Sequence, residues 1–303
     1  MYFCTINYIK YDILMIKKYL SLVKFSHTIF AMPFALIGFF LALKTSNKDI
    51  FSIENLQLLL FVVLDMIFAR NAAMGFNRWL DKNIDKKNPR TAVREIPSGK
   101  IKSKYALWFV IINSLLFLIT TYFINQLVFF LAPLALAVIL GYSYTKRFTW
   151  FCHFILGLGL SLAPVGSYLA VTGTFSLLPV LFSLTVLFWT AGFDIIYSLQ
   201  DEEFDKENNL KSIPTLLGKK NALRLSSLSH FLTVGFIIWA GIKGADFLGI
   251  WYWAGAFFFG SSLIYQHLIV KADDLSKINL AFFTTNGIAS IVFAVFTLLS
   301  LYI

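Results

Sequence analysis

Two short runs of the sequence carry oxygen-bearing side chains at intervals of four residues. The first run places Asn77, Asp81 and Asp85 at this interval, which brings all three to one face of a helix. Like charges at this spacing repel each other, so such a pair of carboxylates usually faces a cation. The second run repeats the spacing with Asp201 and Asp205. Hard oxygen ligands without His or Cys favour Mg²⁺ or Ca²⁺ over zinc.

Three further residues precede the second acidic run. Asp194 lies seven residues before Asp201, on roughly the same helix face, and Tyr197 and Gln200 lie between them. One acidic run alone is typical of an ordinary solvated helix face. Two such runs together predict a site for two Mg²⁺ ions with a diphosphate between them, because Mg²⁺ usually combines one or two carboxylates with phosphate oxygens.

Four basic residues are suited to complete a phosphate site. Arg90 and Arg94 lie in the stretch NPRTAVREIPSGK at 88–100, and arginine binds phosphate through two hydrogen bonds at once. Lys146 and Arg147 follow an apolar run, where the alternative is that they are ordinary membrane anchors. Lys, Arg and Mg²⁺ together neutralise a diphosphate and make it a better leaving group.

Aromatic and buried basic residues indicate what the leaving group departs from. Tyr142, Tyr144 and Tyr197 offer ring faces that stabilise an allylic cation by roughly 0.5–2 kcal/mol each. Arg70 lies inside an apolar run, where a charge needs a partner or a water-filled cavity. It therefore predicts that the attacking, hydroxylated aromatic ring also carries a carboxylate. Asp65, five residues earlier, is the alternative partner of Arg70.

The composition places these residues in a membrane. Of 303 residues, 58% are hydrophobic and 14% are charged, against roughly 45–50% and 25% in soluble chains. With no linker or break in composition, we expect a single domain over 1–303, with residues 1–24 as an N-terminal segment. We predict an all-α, polytopic membrane protein with nine transmembrane helices, each about 20 residues long, near 25–43, 56–76, 105–123, 127–145, 150–172, 176–199, 226–242, 247–270 and 280–302.

The net charge of +10 does not indicate a nucleic-acid partner, because the basic residues concentrate in short loops between apolar runs. With the N-terminus inside, inner segments hold 22 Lys and Arg and outer segments hold 3. The positive-inside rule therefore predicts a multi-pass protein of the cytoplasmic membrane with the N-terminus cytoplasmic and the C-terminus outside. Residues 1–14 do not read as a secretory signal, and Met15 is an alternative start to Met1.

Four ordered motifs resemble those of the UbiA superfamily of intramembrane aromatic prenyltransferases. They are Asn77-x3-Asp81-x3-Asp85, the RTA-x-R-x-x-PSG stretch at 90–99, GYSYTKR at 141–147, and the run from Asp194 to Asp205. The resemblance extends from KFSHTIFAMPFAL at 24–36 to the ninth apolar run, and within the superfamily it is greatest for the 4-hydroxybenzoate polyprenyltransferase branch. Glu95 departs from the pattern, since many relatives carry a residue such as Pro there.

The resemblance implies helices around a central cavity, with two Asp-rich cytoplasmic loops as a cap. It implies Mg²⁺-dependent transfer of a polyprenyl group from polyprenyl diphosphate to 4-hydroxybenzoate, ortho to the hydroxyl, in ubiquinone biosynthesis. It assigns Mg²⁺ to Asn77, Asp81, Asp85, Asp201 and Asp205, and diphosphate to Lys146. Tyr142 is expected beside the reacting carbon and Arg70 near the aromatic acid, with Asp194 supporting the metal site. The predicted catalytic set is Asp81, Asp201, Asp194, Tyr142 and Tyr197, with Arg147, Arg90 and Arg94 beside Lys146 as diphosphate-binding residues.

Two alternative functions stay open at this stage. Prenylation of a dihydroxynaphthoate in menaquinone biosynthesis is one, because FSHTIFAMPFAL at 25–36 resembles relatives with that role at least as well. A membrane transporter is the other, with Asp65, Arg70 and Asp194 along an ion pathway. A phosphatidyltransferase is disfavoured, because that chemistry usually shows a single dense acidic motif.

Overall fold

The computed structural model describes Tyr19, residues 21–23 and residues 30–303. Predictions for residues 1–18 and 24–29, including the choice between Met1 and Met15, lie outside these residues. A 3₁₀ turn at Leu199–Asp201 and a π-helical turn at Leu280–Thr285 interrupt the helices. In residues 30–303 the α-helices are α1 Met32–Thr45, α2 Ile53–Leu80, α3 Lys82–Lys87, α4 Ser103–Ile124, α5 Gln126–Thr145, α6 Cys152–Thr172, α7 Leu177–Ser198, α8 Glu202–Glu207, α9 Ile213–Lys243, α10 Ile250–Ile269 and α11 Asn286–Tyr302.

The all-α, multi-pass prediction is confirmed. Seven helical segments in the described part of the chain are long and apolar enough to cross a membrane: α2, α4, α5, α6, α7 with its extension to Glu207, α9, and Leu280–Tyr302. Each of the nine predicted runs overlaps a helix. At 14 residues, α1 is a shorter apolar helix, so the total of nine transmembrane helices stays a prediction.

The predicted start of the seventh run was wrong. We expected this helix at 226–242, whereas α9 begins at Ile213. Ser212 and Thr215 form a capping box, and Pro214 occupies the first turn, where its missing N–H costs nothing. Gly218 then bends the helix with φ +72°, a conformation that glycine adopts without strain. The lysines around this bend lower the local hydropathy, so the start of the helix is not visible in a hydropathy profile.

A cluster of aromatic rings forms the core around α7. Trp189 is fully buried and lies 5.4 Å, between ring centroids, from both Phe34 and Phe259. Phe293 of α11 packs against Phe259 at 5.3 Å. Since these rings come from α1, α7, α10 and α11, the cluster ties helices distant in sequence to the helix that carries the second acidic run.

Glycines let neighbouring helices approach α7 closely. A Cβ on Gly157 of α6 would lie 2.4 Å from the Leu187 carbonyl oxygen, and one on Gly192 would lie 2.3 Å from Cδ2 of His230. Small residues in membrane helices permit such close packing, and these two glycines do so. Gly141 and Gly166 make no such contact, since a Cβ there would meet no atom of the described structure within 4 Å.

Gly192→Ala should destabilise the protein by about 1–3 kcal/mol, because the new methyl overpacks the α7–α9 contact. The thermal unfolding midpoint of the purified protein in detergent measures this effect. Gly166→Ala is the matched control, and its midpoint should stay the same or rise slightly. Equal midpoints for the two variants would contradict the close contact at Gly192.

Candidate active site

Both acidic runs lie where a long helix gives way to a short one. Asp81 ends α2 and caps α3, while Asp201 ends the 3₁₀ turn and caps α8. In each short helix the second aspartate is the fourth residue: Asp85 in α3 and Asp205 in α8. The two runs are thus local structural repeats of one another, as their equal spacing suggested.

The first run keeps its side chains on one face despite the break in the helix. Asp81 has φ −89° and ψ +5°, which ends α2. Its N–H still donates to the Asn77 carbonyl at 3.0 Å, and the Asp85 N–H donates to the Asp81 carbonyl at 2.7 Å. The i to i+4 hydrogen bonds therefore continue across the break, and Asn77, Asp81 and Asp85 all reach the same cavity.

All thirteen residues predicted for the site line one cavity of about 270 Å³. Apolar side chains, including Phe193 and Phe282, complete its wall. Tyr144 is an exception among the three tyrosines considered, since it lies outside the cavity wall and packs on Phe76. The predicted residues that line the cavity are Arg70, Asn77, Asp81, Asp85, Arg90, Arg94, Tyr142, Lys146, Arg147, Asp194, Tyr197, Asp201 and Asp205.

Each of the four aspartates in the two runs forms an ion pair with a basic residue predicted to bind phosphate. The carboxylates are the more buried partners, whereas the basic side chains stay partly exposed. Every pair joins residues from different loops or helices, except the one within the first loop. The pairs are Asp81–Arg147 at 2.8 Å, Asp85–Arg94 at 2.6 Å, Asp201–Arg90 and Asp205–Lys146 at 3.3 Å.

Lys146 and Arg147 connect the two acidic runs at the end of α5. Lys146 pairs with Asp205 of the second run, and the next residue, Arg147, pairs with Asp81 of the first. Burial disfavours charge on Lys146, but Asp205 and neighbouring carboxylates outweigh this and raise its pKa above the ordinary value. Burial raises the pKa of Asp81, and Arg147 opposes that shift. Two adjacent cations thus hold both runs at one cavity.

Arg90 reaches from the first loop to the second acidic run. Its Nε donates to Asp201 Oδ1 at 3.0 Å, and its Nη1 donates to the Tyr197 hydroxyl at 3.0 Å. The Asn88 amide donates to the same Asp201 oxygen at 3.1 Å. Burial disfavours the charged form of Arg90, but its bonds to Asp201 raise its pKa overall. The first loop is therefore fastened directly to Asp201.

Asp194 has a partner of a different kind. Its Oδ2 lies 2.6 Å from Nδ1 of His153, which is fully buried. His153 Nε2 accepts the backbone N–H of Ile213 at 3.3 Å. Because Nε2 accepts a hydrogen bond, the ring proton is on Nδ1, and Nδ1–H donates a hydrogen bond to Asp194. His153 is thus a buried, hydrogen-bonded structural residue, and it orients Asp194 in the cavity wall.

The alternative pairing of Arg70 with Asp65 is wrong. Arg70 lines the cavity, whereas Asp65 does not, and the described residues show no ion pair between them. The reason is geometric, since five residues of helix turn the two side chains about 140° apart. Arg70 therefore faces the cavity without an acidic partner from its own helix.

A π-helical turn brings an aromatic ring against Tyr197. Phe282 stacks on Tyr197 with ring centroids 4.1 Å apart and an interplanar angle of 28°. The Asn286 amide holds this turn by donating to the carbonyls of Ala281 and Phe282. Its own carbonyl oxygen accepts the Trp189 indole N–H at 2.8 Å. The turn thereby links the aromatic core to the side chain that contacts Arg90.

Sequence reasoning missed several residues that build the site. Asn88 lies in the quoted NPR stretch, and Asn followed by Pro is a sequence signal of a turn. In the structure its side-chain oxygen accepts the Arg90 N–H at 2.9 Å. Phe282 was missed because an apolar helix gives no sign of a π-helical turn. Arg78 was missed because it reads as a basic residue at a membrane boundary, although it is 6% exposed and lines the cavity.

The donor chemistry of the cavity fits Mg²⁺, although the described residues hold no preformed cluster of three His, Cys, Asp or Glu side chains. Four carboxylates and the Asn77 amide are hard ligands of the kind that Mg²⁺ uses. Asp85 Oδ2 is buried without a hydrogen-bond partner among the described residues. Since an unpaired buried carboxylate oxygen is costly, a cation here would satisfy it.

Comparison with known proteins agrees with this geometry. The UbiA prenyltransferase family matches residues 31–288. A 4-hydroxybenzoate octaprenyltransferase of Aliivibrio fischeri (strain MJ11) is 30% identical over 258 residues, which cover 81% of this chain and 85% of that protein. The protein of the same name from Vesicomyosocius okutanii is 29% identical over 243 residues, covering 79% and 86%.

Solved structures of related proteins share the fold. The apo structure of a UbiA homologue from Aeropyrum pernix K1 has a TM-score of 0.75 at 29% identity and covers 90% of this chain and 96% of that chain. A UbiA homologue from Archaeoglobus fulgidus bound to GPP and Mg²⁺ has a TM-score of 0.68 at 21% identity, covering 94% and 100%. With most of its length matched by the family, this chain belongs to the UbiA prenyltransferase family.

Proposed function

We propose that this protein transfers a polyprenyl group from polyprenyl diphosphate to the ring carbon of 4-hydroxybenzoate ortho to the hydroxyl, releasing diphosphate, in ubiquinone biosynthesis. The observation that carries the proposal is that both acidic runs and four basic side chains meet at one cavity. The names of the relatives support 4-hydroxybenzoate as the acceptor. The family match argues for transferase chemistry and not for transport.

The donor diphosphate occupies the end of the cavity that holds the ion pairs. Asn77, Asp81, Asp85, Asp201 and Asp205 are the residues that would hold Mg²⁺, as the Mg²⁺-bound relative suggests. Lys146, Arg147, Arg90 and Arg94 contact the diphosphate oxygens. Bound Mg²⁺ would neutralise charge that develops on the diphosphate as the allylic C–O bond breaks.

Binding of the donor then requires an exchange of partners. Each of the four aspartates predicted to bind metal is paired with a predicted phosphate ligand in this structure, as in Asp81–Arg147 and Asp205–Lys146. A metal diphosphate supplies a cation for the carboxylates and an anion for the basic side chains. Before the substrate arrives, the predicted metal ligands and the predicted phosphate ligands therefore neutralise each other. This pairing limits the number of unpaired buried charges.

The reaction itself needs little from the protein beyond positioning and shielding. When the C–O bond breaks, the electron pair leaves with diphosphate and the allylic carbon becomes cationic. The ring faces of Tyr142 and Tyr197 stabilise this cation, and the apolar wall around Phe193 and Phe282 keeps water away. The ring carbon ortho to the hydroxyl then bonds to the cation, and its proton passes to the released diphosphate, which is a base. Asp194, oriented by His153, completes the catalytic set.

The acceptor occupies the deeper part of the cavity. Arg70 lies seven residues before Asn77 on α2, about 10 Å along the helix axis. Its guanidinium has no ion pair among the described residues, so it can bind the carboxylate of the aromatic acid. This places the ring between Arg70 and the diphosphate.

The membrane and the orientation that the charge distribution predicts are also part of the proposal. We assign it to the cytoplasmic membrane as one domain over residues 1–303, with the N-terminus cytoplasmic and the C-terminus outside. The excess of Lys and Arg in alternate loops supports this orientation. The two Asp-rich loops then act as a cap on the cytoplasmic side.

Asp81→Asn and Asp201→Asn should each lower kcat by roughly 100-fold or more, because a charge that stabilises the departing diphosphate is lost. Mass spectrometry of prenylated 4-hydroxybenzoate, formed by purified enzyme with Mg²⁺, measures this. Asp273→Asn removes an exposed acid outside the cavity and is the control. Undiminished product from both site variants would sink the proposal.

Wild-type enzyme offered 4-hydroxybenzoate and a dihydroxynaphthoate together should prenylate 4-hydroxybenzoate. Arg70→Met should raise the KM for that acid roughly tenfold or more, by loss of a charge-assisted hydrogen bond, and leave the KM for the prenyl diphosphate unchanged. The product masses and the two KM values test both points. Prenylated naphthoate as the main product would instead favour the menaquinone alternative.

The exchange of partners predicts that one variant changes the affinity for Mg²⁺ and the affinity for diphosphate in opposite directions. Arg147→Met frees Asp81 from its ion pair, so Mg²⁺ alone should bind roughly two- to fivefold more tightly, the scale of a partly exposed pair. Inorganic diphosphate with Mg²⁺ should bind more weakly. Isothermal titration measures both affinities. Lys86→Gln removes an exposed charge on α3, beside the first acidic run, and is the control. Unchanged affinity for Mg²⁺ alone would contradict the exchange.

A further inference from the structure

One basic side chain in the cavity has no task in the proposed reaction. Six of the basic residues that the structure describes line the wall, and four of them are paired with the acidic runs. The other two, Arg70 and Arg78, form no ion pair or hydrogen bond with any residue that the structure describes. Arg70 is assigned to the acceptor. Arg78 is only 6% exposed, and its Nε is buried without a partner.

The carboxylates near Arg78 are already bonded to other groups. Asp85 and Glu95 lie within electrostatic reach of its guanidinium, as does the like-charged Arg94. Asp85 accepts the hydrogen bond of Arg94 at 2.6 Å, and Glu95 accepts the Ser21 hydroxyl. Arg78 therefore gains long-range attraction from these acids but no direct bond. A buried guanidinium in this state is costly and is prepared for an incoming anion.

The position of Arg78 identifies which anion this is. It is three residues before Asp81 and seven before Asp85 on the side of α2 and α3 that faces the cavity, at the end where the ion pairs lie. Arg70 lies eight residues earlier, about 12 Å along the axis. A carboxylate held by Arg70 is thus remote from Arg78, whereas a diphosphate among the ion pairs is close to it.

The charges of the cavity point the same way. Among the described residues, six basic and five acidic side chains line the wall, so the charges nearly balance without a ligand. Divalent cations bound by the acidic runs would leave the cavity strongly positive. A diphosphate offsets most of this added charge, and Arg78 is the described basic residue at that end that can reach it without first breaking an ion pair.

We propose that Arg78 binds the diphosphate of the prenyl donor directly, as a fifth basic ligand beside Arg90, Arg94, Lys146 and Arg147. This assignment rests on the proposed function, since it takes a prenyl diphosphate as the substrate. Arg78 needs no exchange of partners to contact the diphosphate, whereas the four paired basic residues are released only when their carboxylates change partner. The acceptor has no contact with it.

Arg78→Met, which keeps the length and apolar stem of the side chain, is the main test. Inorganic diphosphate in the presence of Mg²⁺ should bind roughly 10- to 100-fold more weakly by isothermal titration, the range for one charge-assisted hydrogen bond. The KM for the prenyl diphosphate should rise with the KM for 4-hydroxybenzoate unchanged. Lys87→Gln, an exposed charge on α3 outside the cavity, is the matched control and should behave as wild type.

Other results overturn the assignment. A rise in the KM for 4-hydroxybenzoate alone would make Arg78 an acceptor ligand, and unchanged diphosphate affinity would leave it no role in donor binding. If Glu95→Gln restores the affinity lost in Arg78→Met, Arg78 is only a counter-ion. Should Arg78→Met fail to fold, Arg78→Lys keeps the charge, and its diphosphate affinity should still fall because the planar fork is lost. Failure of wild-type protein to bind diphosphate with Mg²⁺ would instead refute the proposed function.

Discussion

The arrangement of the site depends on attraction between four aspartates, three of them buried and Asp81 half-buried, and four basic side chains. Without these pairs, the like charges of Asp81, Asp85, Asp201 and Asp205 would repel one another in the cavity wall, where unpaired buried charge is costly. The adjacent residues Lys146 and Arg147 contact one acidic run each. The end of α5 therefore sets the spacing between the runs, although it contributes no carboxylate of its own.

The two acidic runs are built by the same local device on different helices. In each case a long apolar helix gives way at an aspartate, directly at Asp81 and after a 3₁₀ turn at Asp201, and a six-residue helix then carries a second aspartate at its fourth position. The change of helix lets the polar segment turn across the cavity while the hydrogen-bond spacing keeps both carboxylates on one side. Asn88 and Arg90 then join the first loop to Asp201 of the second run.

The aromatic core supports the polar site through a short chain of contacts. Trp189 bonds to Asn286, Asn286 holds the π-helical turn, and Phe282 of that turn stacks on Tyr197. Tyr197 in turn accepts a hydrogen bond from Arg90, which is paired with Asp201. The rigid apolar part of the bundle and the charged cavity are therefore mechanically continuous. This explains how helices that bear no charged site residue still position one.

The sequence by itself determined the membrane class, the helical architecture and thirteen members of the candidate site, but it missed Arg78, Asn88 and Phe282. Hydropathy and the four-residue spacing of the site residues are local properties of the sequence, so both can be read without knowledge of the fold. Only the tertiary structure decided which charges pair, because Asp201 meets Arg90 across 111 residues and no spacing rule reaches that far. It likewise placed Arg78 unpaired in the cavity, since that outcome depends on how neighbouring helices pack around α2.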